Sequence, residues 1–152
     1  MLMAAIISIL AAGCALGSTT SHCATLPACT AAGSRRLSQV VLVPQGATFV
    51  QGEIKQGVLG VEFRDTTTGR TFSMFVGHPA SGTTSCPGTV ITLSTTRRFC
   101  YGRTTTELLA QFTAQRLLYT LTVSLPSGSV STGPAAVVSD QELVSRIVSA
   151  MA

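Results

Sequence analysis

The chain has no tryptophan and, in 152 residues, only two tyrosines, two histidines and one lysine. Charged residues make up 11% of it, well under the roughly one quarter usual for soluble domains. Each scarcity removes a class of function. So few aromatic rings leave no stacking platform for sugars or nucleobases. The basic residues, nine arginines and Lys55, fall singly or as the pairs Arg35-Arg36 and Arg97-Arg98. That is too sparse for the clustered phosphate contacts of nucleic-acid binding, so no nucleic-acid partner is expected. Gly-rich phosphate loops, EF-hand spacing and a G-x-S-x-G elbow are missing, and no cofactor is implied. Carboxylate pairs are equally thin: Glu53 and Glu62 stand mid-chain, Asp65 belongs to a turn, and Asp140 and Glu142 read as the start of a helix.

What is present is apolar and small. Hydrophobic residues make up 45% of the chain, mean hydropathy is +0.45, and threonine, serine, glycine and alanine are abundant. This excludes disorder and suits one Thr-rich β domain with a single core. The first twelve residues, Met-Leu-Met-Ala-Ala-Ile-Ile-Ser-Ile-Leu-Ala-Ala, form an uncharged apolar run. It is too short to span a bilayer and right for the apolar region of a secretion signal. Two processing routes compete. Ala15-Leu16-Gly17 before Ser18 suits signal peptidase and gives a signal of residues 1–17 and a freely secreted protein. Leu10-Ala11-Ala12-Gly13-Cys14 resembles a lipobox, in which Cys14 is lipidated after a signal ending at residue 13, anchoring the protein to the membrane. Residues 18–38 read as a polar tether and loop broken by Pro27 and Gly33. Residues 39–152 form the single globular domain.

Of the five cysteines, either route removes or lipidates Cys14 and leaves an even set: Cys23, Cys29, Cys86 and Cys100. Four cysteines in an exported domain read as disulfides, with sequence-local pairing of Cys23 to Cys29 and Cys86 to Cys100 preferred among the three connectivities. Closing the second loop, about 15 residues, is worth roughly 3 kcal/mol in the chain-entropy model. A zinc site using these thiolates and His22 lacks a C-x-x-C knuckle, so no metal is expected.

The expected fold is α+β: a curved antiparallel sheet of about five to seven strands with a C-terminal α-helix packed on it. Gln39-Val-Val-Leu-Val43 reads as a short strand extended by Ala47 to Gln51. Val58 to Phe63 alternates with Leu59, Val61 and Phe63 on one face, and Asp65-Thr-Thr-Thr-Gly69 turns it back into Thr71 to Val76. Residues 77–85 are a loop. Thr89 to Leu93 and Arg97 to Tyr101 form a second hairpin around Ser94-Thr95-Thr96. Leu117 to Leu125 alternates as a strand; residues 107–112 read as another, with a helix capped by Thr106 as the alternative. After a Ser/Gly loop at 126–133, Ser139-Asp140-Gln141-Glu142 has the form of a capping box, followed by a helix with Leu143, Val144, Ile147, Val148 and Met151 on one face.

The Leu118-Tyr119-Thr120-Leu121 strand, a loop and Ser139-Asp140-Gln141-Glu142-Leu143-Val144-Ser145-Arg146-Ile147-Val148-Ser149 together resemble the ending of small extracytoplasmic domains of bacterial lipoproteins and anti-sigma-factor regulators. The resemblance covers about a third of the chain and implies sensing or partner binding, with no assigned chemistry. The functional expectation is therefore an exported, non-enzymatic envelope module, with an envelope protein or cell-wall component as partner. Arg97, Arg98 and Arg103 are the candidate contact surface. The alternative is a hydrolase-type enzyme using His78 with a nearby serine or thiol.

Overall fold

The computed structural model describes residues 19–81, 86, 88–125 and 134–152, with the side chains of 134–138 excepted. The apolar N-terminal run, Cys14 and the 126–133 loop lie outside the described residues. The fold is α+β, built on an open antiparallel sheet of eight strands. In chain order the elements are β1 (Ser21–Cys23), α1 (Leu26–Leu37), β2 (Ala47–Lys55), β3 (Val58–Asp65), β4 (Thr71–Gly77), β5 (Thr89–Thr92), β6 (Arg98–Arg103), β7 (Glu107–Ala114), β8 (Leu117–Ser124) and α2 (Pro134–Ser149). The spatial order β1-β2-β3-β4-β8-β7-β6-β5 joins two four-strand meanders along the β4–β8 pair. Residues 107–112 are strand, as the alternation of Leu108, Ala110 and Phe112 dictates.

Strict alternation produces two unlike faces. The inner face carries rows that run across the strands in register. Leu59, Val76, Tyr119 and Phe112 form one, and Val61, Met74, Leu121, Ala110 and Tyr101 the next. All of these are buried, and Leu37, Val144, Ile147 and Val148 from the helices join the same core. Phe63 stacks on Phe72 and Phe112 on Tyr119, with ring centroids 5.5 and 5.0 Å apart.

Four local expectations are corrected. Among the described residues the strand count is eight, above the five to seven expected, because Ser21–Cys23 adds an edge strand on β2. Residues 18–38 are not a loop throughout, since α1 occupies twelve of them. Thr25 caps this helix by accepting from Ala28 N, and Pro27 sits in its first turn, where a missing N–H is harmless. Gly33 lies so close to the sheet that a Cβ there would stand 2.7 Å from Leu59 Cδ2. Proline and glycine, read as breakers, are a helix start and a packing contact. Residues 39–43 form no strand of the sheet. Their backbone groups pair elsewhere: Val41 N with Ser34 Oγ, Leu42 N with Tyr119 Oη, and Val43 with Ala152 in both directions.

The start of the C-terminal helix also differs from the expected one. α2 begins at Pro134, so Ser139 and Glu142 lie within it and form no capping box. Asp140 is spaced three, four and seven residues before Leu143, Val144 and Ile147, which puts it on the buried stripe. Its carboxylate therefore faces the sheet.

Candidate binding surface

The inner face holds nearly all the strong charge pairing. Asp140 Oδ1 accepts from Arg70 Nη1 at 3.1 Å and Asp140 Oδ2 from Arg103 Nε at 3.2 Å. Asp65, at the end of β3, accepts both Nη groups of Arg146 at 2.8 Å each, together with Thr68 N and Oγ1. The Arg146 guanidinium holds the Asp65 carboxyl well below the usual carboxylate range, against the opposing effect of burial, with the Thr68 bonds assisting. Arg97 Nη1 donates to the carbonyls of Val148, Ser149 and Met151 and so closes the C-terminus of α2. Tyr101 Oη and Arg70 Nε are buried in this region without a hydrogen-bond partner among the described residues. Burial raises the Tyr101 phenol above its ordinary pKa, and the negative charge of Asp140 adds to that rise.

This arrangement divides the three arginines singled out from sequence. Arg97 and Arg103 project from the inner face toward α2, whereas Arg98 is exposed on the opposite face. The structure does not bring Arg97, Arg98 and Arg103 together as one contact surface. Adjacent residues of a strand point to opposite sides, and two of the three have internal partners.

The outer face of the sheet is covered by neither helix. Its residues are polar and charged, with Glu53, Lys55, Glu62, Arg64, Arg98 and Glu107 among threonines, serines, glycines and glutamines, and they are interspersed with exposed Val58, Phe75 at 44% exposure and Val90 at 55%. One cross-strand row runs its full width: His22, Glu53, Gly60, Phe75, Thr120, Gln111, Cys100 and Val90. Two shallow concavities interrupt it. The first, about 210 Å³, lies over Gly60 between Glu53, Glu62, Ser73 and Phe75, with His22 at its edge. Here Gln51 Nε2 donates to Glu62 Oε2 at 2.6 Å, and His22 Nδ1 is 3.9 Å from Glu53 Oε2. The second, about 370 Å³, lies at the other end beside the Cys86–Cys100 disulfide and is lined by Val90, Arg98, Gln111, Thr113 and Leu118. These walls suit recognition through apolar contact and side-chain hydrogen bonds.

The cysteines pair as the sequence spacing favours, Cys23 with Cys29 and Cys86 with Cys100, at Cα separations of 5.2 and 5.4 Å. The first bridge ties β1 to α1 above Gly52, where any Cβ would overlap the Cys29 sulfur. The second fastens the segment before β5 to β6. Two disulfides fit an oxidising, extracytoplasmic compartment. Among the described residues no group of three or more His, Cys, Asp or Glu side chains is placed to hold a metal ion, and no helix is long and apolar enough to cross a membrane. His22 sits on edge strand β1, and His78 is exposed just beyond β4. No family model, curated protein or solved structure matches the chain.

Proposed function

We propose that this chain is an exported envelope protein whose domain is a non-enzymatic binding or sensing module. It engages another envelope protein or a cell-wall component through the outer face of its sheet. The observation that carries this reading is the sheet face that neither helix covers: eight strands wide among the described residues, indented by the two concavities described above, and carrying exposed Phe75, Val58 and Val90 among polar and charged side chains. Apolar groups rimmed by hydrogen-bonding residues mark interaction surfaces on monomeric domains. Export is supported by the disulfides and by the apolar N-terminal run. Removal of that run before Ser18 releases a soluble protein, and lipidation at Cys14 leaves the same domain on a membrane anchor.

The test is photo-crosslinking in cells, with a photoreactive residue at Phe75 or Thr120 on the outer face and, as a control, at Glu142, which is exposed on α2. Discrete adducts from the first two positions and none from Glu142 are expected. No adduct from the outer face, or the same adduct from Glu142, would refute the assignment. Loss of the cellular phenotype in a folded His78→Ala protein would replace it with the hydrolase reading.

A further inference from the structure

The second concavity adjoins a free sheet edge. β5 pairs with β6 on one side and with no strand among the described residues on the other. Leu93 N donates to Arg97 O at 2.9 Å, which makes Leu93 and Arg97 a hydrogen-bonded pair. In an antiparallel ladder such pairs alternate, so Ile91 and Thr89 bond to β6 while the N–H and C=O groups of Val90 and Thr92 point to the open edge. Proteins blunt edges with charge, proline or a bulge. β5 reads Thr-Val-Ile-Thr and has none of these; all four residues favour extended structure. The opposite edge differs, since β1 has three residues and its last, Cys23, is tied down to α1.

Among the described residues Arg98 is the single charged one lining the concavity beside this edge. It lies opposite Thr92 in the β5–β6 register and is exposed on the outer face. An added strand would run two strand spacings, roughly 10 Å, from the Arg98 backbone. The extended lengths of an arginine and a glutamate close that gap across the small Thr92. A second copy of this chain is disfavoured as occupant, because each copy carries a net charge of +4 and would bring a second Arg98 to the same face.

We infer that β5 accepts an extended segment of an acidic partner protein as a ninth strand. The edge groups of Val90 and Thr92 hold its backbone, Val90 offers apolar contact, and Arg98 pairs with one of its carboxylates. The inference rests on the binding-module reading and specifies its partner.

A photoreactive residue at Thr95, exposed in the turn that follows β5, tests it in the full-length protein in cells. A Thr95 adduct is expected whose mapped attachment lies in a segment containing Asp or Glu. Val90→Pro removes an edge-facing N–H and leaves the β5–β6 bonds in place, so it should cut the adduct at least tenfold with the fold retained. Arg98→Glu should do the same if the proline variant fails to fold, and Arg98→Lys should restore most of the yield. A Thr95 adduct indifferent to both substitutions, or one consisting of a second copy of this chain, would overturn the inference. Adducts at Phe75 with none at Thr95 would overturn it while leaving the outer-face reading intact; absence at both positions would remove both.

Discussion

Asp140 and Asp65 carry different weights although both face arginines. Side-chain exposure is 12% for Asp140 and about a quarter for each of its partners, Arg70 and Arg103, so solvent screens part of that attraction. Removing the carboxylate would nonetheless leave two guanidiniums without their counter-charge beneath a helix. Asp140→Ala is expected to destabilise the domain by about 2–3 kcal/mol, read from the urea midpoint at pH 7. Arg98→Ala, on the open face, should shift that midpoint very little. Asp65 is 3% exposed, and its pKa is depressed in the folded state, so it stabilises the fold above its unfolded pKa of about 3.9. That contribution is lost as pH falls below this value toward the depressed folded pKa. Thermal scans from pH 6 down to pH 2 should show the loss beginning near pH 4, and Asp65→Asn should flatten the slope. An unchanged slope in the variant would place the acid sensitivity elsewhere.

Among the elements, the β7–β8 hairpin contains the clearest local conflict. Its two turn residues, Gln115 and Arg116, have φ of 54° and 61°, the left-handed region that favours glycine or asparagine. The β2–β3 hairpin solves the same geometry with Gly57 at its second turn position. Relief of left-handed strain is worth about 1–2 kcal/mol and the greater freedom of glycine in the unfolded chain offsets about 0.5–1. Arg116→Gly should therefore stabilise the protein by about 0.5–1 kcal/mol in equilibrium denaturation. α1 shows why a helix can hide in a sequence. Its buried stripe, Cys29, Gly33 and Leu37, contains one large apolar residue, and the rest of the contact comes from closeness, not bulk. α2 shows the reverse error. A four-residue capping pattern is locally sound, but five further residues from Pro134 to Val138 continue the helix backward and turn the supposed first-turn carboxylate into a buried one.

For the whole molecule, the disulfides fasten both ends of the sheet, β1 at one and the approach to β5 at the other. Replacing Cys86 and Cys100 together by serine should cost about 3 kcal/mol, measured as the lowering of unfolding free energy, because the loop of about 15 residues regains its freedom when unfolded. Intact mass of the protein recovered from cells, with and without reduction, addresses export. Chains beginning at Ser18, or at acylated Cys14, with four oxidised cysteines, are the two expected results. An unprocessed chain with free thiols would contradict an extracytoplasmic location.

Several features follow from residue order alone. Alternation in Val58–Asp65, Thr71–Gly77 and Leu117–Ser124 fixed which side chains are buried, because a strand has period two and one face excludes water. The Asp65–Gly69 turn and the two short cysteine separations were equally local, and so was the stripe of α2. Long-range placement was not. That β4 pairs with β8, that residues 39–43 bind Tyr119 and the C-terminus instead of joining the sheet, and that Arg97 and Arg103 serve α2 while Arg98 faces solvent all depend on partners 37 or more residues away, or on the side of a strand that packs. The candidate surface belongs to this second group: its full-width row draws one residue from each of eight strands, and only tertiary pairing in register sets them side by side.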